Sequence, residues 1–223
     1  MQAKIISLLT TLLTPIVLLG LALRLLLTPA FLQVEYRMPG FPPDPYGFSM
    51  NDRLHWAAYA VDYLTNRADI SYLANLRFMD GVPLYNEREL SHMSDVKRVT
   101  QGALNVFYGA LAALALLGLW SRRGEPFQAY LQGLKRGGWL MIILAGTLAV
   151  VVLVGMFLLP GLFWAFFSGF HALFFQGNSW LFQFSDTLIR LFPLRFWEDT
   201  FLFASVIAVA GGLALAFGIK NKA

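Results

Sequence analysis

The chain contains no cysteine. Disulfides, thiolate nucleophiles, c-type haem attachment and cysteine-ligated metal centres are therefore excluded. Charge is scarce too: 13% of the 223 residues are Asp, Glu, Lys or Arg, against 57% hydrophobic. A soluble domain carries about a quarter charged residues, so a deficit this large implies segments that meet lipid rather than water. There is no GxSxG elbow, no glycine-rich phosphate loop and no HExxH pair. The net charge of +4 is dispersed among apolar runs, which is not how a nucleic-acid surface is built.

What is present is hydrophobic length. Four runs, 5–27, 99–120, 139–159 and 200–219, are each long enough to cross ~30 Å of hydrocarbon as a helix. The last three carry no charge, and the first has only Arg24 near its end, where a long side chain can snorkel. The first run is too long for a secretory signal and is followed by Thr28-Pro29-Ala30-Phe31-Leu32, without a small-x-small cleavage site. It is read as a retained anchor. Lys4, Arg122, Arg123, Lys135, Arg136, Lys220 and Lys222 lie on one side with a single acid, Glu125, whereas segments 33–98 and 160–198 are net acidic. The positive-inside rule then places both termini inside. The expected fold is an all-α integral membrane protein with a cytoplasmic loop 121–138 and an extracytoplasmic, aromatic-rich cap built from 33–98 and 160–198.

Within the cap, Met38-Pro39-Gly40-Phe41-Pro42-Pro43-Asp44-Pro45 must be irregular, since proline fixes φ and lacks a donor. Ser49 followed by Asp52 resembles a helix N-cap, and Leu54, Ala57, Ala58, Val61 and Leu64 form an apolar face for the helix it starts. After Pro160-Gly161 the chain remains uncharged to Ser185 and rich in Phe and Trp. That segment is expected to lie in the membrane interface or to fold back over it.

Three histidines offer titratable chemistry near neutral pH. His92 precedes the second span by seven residues, about 10 Å above the hydrocarbon edge on a continuous helix. Asp95 lies one turn away, and an imidazole oriented by a carboxylate is a general-base arrangement; the alternative is a solvated interfacial side chain. His171 sits alone in an apolar stretch, where burying an ionisable ring is costly without a use, although a satisfied core histidine would look the same. His55 lies beside Tyr59 and Asp62, off its helix's apolar stripe, and reads as structural. Asp186 and Arg190 could orient an imidazole or pair with each other. Arg53 reads as structural, Lys97 and Arg98 as headgroup contacts, and Asn178 and Trp180 as secondary donors or anchors. No histidine pair has the i, i+4 spacing of a metal site, so neither metal nor cofactor is expected.

Two motifs, Asn86-Glu87-Arg88-Glu89-Leu90-Ser91-His92-Met93-Ser94-Asp95 and Phe170-His171-Ala172-Leu173-Phe174-Phe175-Gln176-Gly177-Asn178-Ser179-Trp180, resemble the lipoprotein intramolecular transacylase family, Lit. Tyr36-Arg37 to Phe48, Asp186-Thr187-Leu188-Ile189 and the four-span plan resemble it as well. The resemblance implies an enzyme of the bacterial cell membrane that needs no cofactor. It would move the sn-2 acyl chain of a diacylglyceryl-cysteine lipoprotein to the cysteine α-amine, leaving a lyso-form lipoprotein. By position it implies His92 and His171 as catalytic residues, with the base and the oxyanion partner unassigned. A bis-histidine b-type haem protein and a non-catalytic membrane scaffold are the competing readings.

Overall fold

The computed structural model describes residues 1–122 and 125–219; the expectations resting on Arg123, Lys220 and Lys222 lie outside the described residues. Among these, all regular elements are helices, apart from an isolated bridge between Arg77 and Pro83. In chain order they are α1 (Gln2–Leu26), α2 (Pro29–Glu35), α3 (Met50–Thr65), α4 (Ser71–Ala74), α5 (Glu87–Trp120), α6 (Glu125–Phe157), α7 (Pro160–Phe174), α8 (Thr187–Leu191) and α9 (Leu194–Gly218). Four of them, α1, α5, α6 and α9, are long and apolar enough to cross a membrane. The protein is an all-α integral membrane protein.

At 1.5 Å per residue the 34 residues of α5 extend about 51 Å, well beyond ~30 Å of hydrocarbon. Its first twelve residues carry six charges and cannot lie in lipid. Segment 121–138 is helical from Glu125 onward: Glu125 and Pro126 suit a first turn, no proline follows in the segment, and Gly133, Gly137 and Gly138 are accommodated within α6. The 15 residues of α7 make about 22 Å, short of a crossing.

The chain forms two compact units. The first comprises 1–24, 103–154 and 201–223. Its helices approach through glycine, as lipid-embedded helices must where no hydrophobic force draws them together. A Cβ on Gly138 would stand 2.8 Å from the carbonyl oxygen of Gly212, so backbone touches backbone there. Leu18, Met141, Ala145 and Ala208 fill the adjoining core.

The second unit comprises 25–102 and 155–200. Its core gathers Ala60, Tyr63, Leu73, Leu84, Tyr85, Met93, Leu188 and Leu191. Helix α3 starts with a capping box, Ser49 accepting from the Asp52 N–H and Asp52 accepting from the Ser49 N–H at 2.8 Å. The buried side of α3 is broader than its apolar stripe. Ala57 and Val61 are buried as expected, but so are Arg53, Ala60 and Tyr63, while Leu54, Ala58 and Leu64 are only partly covered. Helix α3 packs against α2, α4 and α8, which bury more than one side of it.

Several polar side chains pin this unit. Arg53 donates to the carbonyls of Pro42 (2.6 Å) and Arg190 (3.0 Å). Arg190 pairs with Asp44 at 3.0 Å, not with Asp186, since the proline-rich loop brings Asp44 to it. Lys97 is buried, donating to Asn66 Oδ1 and the Ala68 carbonyl beneath the Tyr63 ring. It is committed to the C-terminal end of α3 rather than to headgroups.

Glu35, at the end of α2, is fully buried, and both carboxyl oxygens lack a hydrogen-bond donor. Desolvation, then the neighbouring carboxylate of Asp199, pushes its pKa up from 4.5 to about 8. Asp199 itself is held by Arg195 at 2.6 Å. Because the folded-state pKa lies above the unfolded value, the stabilising contribution is complete below about pH 4.5 and is lost as pH rises towards 8. Thermal unfolding in detergent should therefore show wild type losing stability relative to Glu35→Gln between pH 5 and 9. A constant difference across that window would show that Glu35 is ionised throughout.

Candidate active site

His92 and His171 both belong to the second unit, on different helices. His92 is fixed by the start of α5. Asn86 and Glu89 cap that helix reciprocally: the Asn86 N–H donates to Glu89 Oε2 (2.8 Å) and the Glu89 N–H to Asn86 Oδ1 (3.0 Å). The other Glu89 oxygen accepts the Leu188 N–H at 2.7 Å, and Thr187 donates to the Leu84 carbonyl at 2.5 Å. The buried carboxylate thus joins the segment after α7 to the helix that carries His92, one turn away.

His171 lies in the last turn of α7. Helix α7 stops at Phe174, and Gly177 at φ +62° takes the chain through a left-handed turn that L side chains rarely adopt. The turn returns Trp180 over the imidazole, with ring centroids 4.7 Å apart. Phe167 covers it at 4.0 Å.

The two imidazoles are 6.1 Å apart between centroids and inclined by 22°. Phe175 touches both, at 4.9 Å from His92 and 5.5 Å from His171, and Phe182 closes on His92 at 5.4 Å. Both histidines are buried, each less than a tenth exposed. Burial, then the facing His171, pushes His92 down from 6.5 to about 4, and burial lowers His171 as well. Both imidazoles are therefore neutral near pH 7.

Hydrogen bonding fixes one tautomer. His171 Nδ1 lies 2.8 Å from the Phe167 carbonyl oxygen, which can only accept. Nδ1 must carry the proton, and the lone pair of the neutral ring is on Nε2. Among the described residues, His92 Nδ1 is buried without a partner, as are Trp180 Nε1 and Ser168 Oγ. Buried polar groups are normally paired, and leaving one unpaired costs about 1–3 kcal/mol. Two of them, His92 Nδ1 and the N–H of Trp180 packed against His171, lie at the imidazole pair itself and could meet polar atoms from elsewhere.

The remaining candidates fall differently. Asp95 is ion-paired with Arg98 one turn on, so it is not the orienting partner of His92, and the hydrogen-bonded acid expected there is absent. Asn178 is exposed. Asp186 accepts from the Gln183 N–H at 2.8 Å and from Asn86 Nδ2 at 3.1 Å, supporting the α5 cap rather than either imidazole. Arg190 is engaged with Asp44. His55 is exposed, with its ring edge-on to Trp56 and Tyr59. Among the described residues no three His, Asp or Glu side chains converge as a metal site. Glu89, Phe175 and Phe182 were not anticipated. The Asn86-x-x-Glu89 spacing was a legible capping box, whereas the aromatic contacts depend on tertiary folding.

The fold defines an all-α integral membrane protein, and the site within it is a pair of buried imidazoles. A family model described as "Lipoprotein intramolecular transacylase Lit" matches residues 8–197, and the chain belongs to that family. It is also 28% identical to an uncharacterised protein of Aquifex aeolicus (strain VF5), over 98% of this chain and 95% of that one. In structure it resembles the membrane integral lipoprotein intramolecular transacylase Lit from Bacillus cereus, with a TM-score of 0.63, 17% identity, and 96% of this chain and 92% of that chain covered.

The site geometry makes a direct prediction. Histidine side-chain NMR in detergent should show His92 titrating near pH 4. Phe182→Ala, which opens its burial, should raise that midpoint towards 6.5. A wild-type midpoint already at 6.5 would contradict the burial.

Proposed function

We propose that this enzyme moves the sn-2 acyl chain of a diacylglyceryl-cysteine lipoprotein from the glycerol oxygen to the α-amine of the same cysteine. The observation that carries the reading is the pair of buried neutral imidazoles 6.1 Å apart, one with its tautomer set by Phe167. Family membership sets aside the haem and scaffold readings.

An α-amine has a pKa of about 7.7–8.0, so much of it is protonated at pH 7. His171 Nε2 is the base in this proposal. As the amine nitrogen bonds to the ester carbonyl carbon, Nε2 takes an amine proton and the carbonyl oxygen becomes an oxyanion. The tetrahedral intermediate collapses by breaking the bond to the glycerol oxygen, which receives the proton back from Nε2. Bonds formed and broken balance without an external donor, and an amide replaces an ester.

The imidazolium that exists between these steps faces the ring of Trp180 and touches Phe167, where aromatic faces favour a cation. Neutral His92 donates a ring N–H to the oxyanion, and the unpaired Trp180 N–H is a second donor. Because nucleophile and electrophile share one molecule, holding their ring-closing geometry can recover about 7–11 kcal/mol of barrier. The phenyl walls supply that hold. The site faces the outside of the bacterial cell membrane in this reading, supported by the concentration of basic residues at the opposite ends of the spans.

The test is mass spectrometry of the N-terminal lipopeptide of a lipoprotein co-expressed with each variant. His171→Ala and His92→Ala are each expected to lower N-acylation by about 10²–10⁴-fold, the range for positioned acid–base groups. His55→Ala should leave it within about twofold. Full activity in either of the first two variants would remove that residue from the mechanism.

A further inference from the structure

A cavity lies apart from the imidazole pair, entirely within the second unit. It has a volume of about 350 Å³, and its walls include Tyr36, Phe41, Phe48 and Met50 with Arg53. Arg53 is 5% exposed, and among the described residues no carboxylate lies within ion-pair distance of it. Asp44, the acid on the same wall, is paired with Arg190 and accepts the Phe48 N–H at 2.7 Å. Its charge is already matched. With Asp44 and Arg190 paired, Arg53 leaves the cavity a net positive charge, drawn by Asp44 only beyond ion-pair distance.

The guanidinium is positioned rather than merely buried. Nε and Nη1 donate to backbone carbonyls, and the group lies 5.2 Å from the Phe41 ring centre. Among the described residues, that leaves Nη2 without a hydrogen-bond partner. A buried charge is normally paired, and a fixed guanidinium with a spare N–H edge suits phosphate or carboxylate oxygens. The rest of the wall is aromatic and aliphatic, so the matching ligand is an amphiphile with an anionic head.

Position selects among such anions. Tyr36 follows the end of α1 by ten residues, seven of them the helix α2. With 1.5 Å per helical residue and at most 3.6 Å otherwise, that is about 20 Å of chain at most. The cavity is thus tethered near a membrane surface, where the phosphodiester is the anion at highest local concentration. We propose that this cavity binds the phosphodiester head of a membrane phospholipid through Arg53, with the first carbons of the lipid against Phe41 and Phe48. The site is independent of the acyl-transfer reading. It ties the segment before α3 to the headgroup layer.

Native mass spectrometry of the detergent-purified protein tests this with three probes: dihexanoylphosphatidylglycerol, dihexanoylglycerol and inorganic phosphate. Wild type should retain one phosphatidylglycerol, while the phosphate-free diglyceride should not bind and inorganic phosphate should compete at least tenfold more weakly. Arg53→Lys should weaken binding at least tenfold. Met50→Glu should do the same by placing an acid at the rim, and it keeps the fold because an acid in the first turn of α3 is favourable. Unchanged affinity in either variant overturns the assignment to Arg53. Equal binding of the diglyceride would reduce the cavity to an apolar pocket, and equal competition by inorganic phosphate would make it a free-anion site.

Discussion

The geometry of the site depends on one buried carboxylate. Glu89 spends one oxygen on the Asn86 N–H, which begins α5, and the other on the Leu188 N–H, which belongs to the segment following α7. Desolvation raises its pKa, and the backbone N–H groups around it pull the other way. Removing it would leave two N–H groups without acceptors. The helix bearing His92 and the segment returning from His171 are distant in sequence, and this side chain is where they are sewn together. The aromatic contacts between the imidazoles add shape to a register that Glu89 has already set.

Under the proposed mechanism, the arrangement also accounts for proton chemistry in a protein with so few polar residues. Desolvation keeps both imidazoles neutral, which is the state in which one can accept a proton and the other can donate a hydrogen bond. The Phe167 carbonyl removes the ambiguity of which nitrogen is basic on His171. A backbone carbonyl is available wherever a helix ends or turns, so no acidic residue is needed inside a nearly uncharged stretch. Nature of environment thus substitutes for the carboxylate partner expected from Asp95.

Much of the fold was legible because lipid imposes a simple code. Runs of about 20 apolar residues correspond to α1, α5, α6 and α9, and Ser49 with Asp52 marks the start of α3. The two histidines stood out because each is an ionisable ring with few competitors. What stayed hidden was pairing at a distance. Asp95 and Arg98 are an i, i+3 pair that spacing does permit, but Asp44 reaches Arg190 across nearly 150 residues, and that does not follow from spacing. Lys97 looked like a headgroup contact because its depth was right; its actual partners, Asn66 and Ala68, are placed by the turn after α3. The broad buried side of α3 was hidden for the same reason, since periodicity reports one neighbour and three helices pack there.

The left-handed turn at Gly177 sets a limit on how the aromatic wall around His171 can vary. Because Trp180 reaches His171 only after the chain reverses there, the indole and the imidazole are not independent positions. A side chain at 177 would strain the backbone and displace the indole without touching any reacting atom. The smallest residue in the loop therefore acts as the hinge pin of the aromatic lid, and tolerance to substitution should be lower at this bare backbone position than at several of the bulky phenylalanines around it.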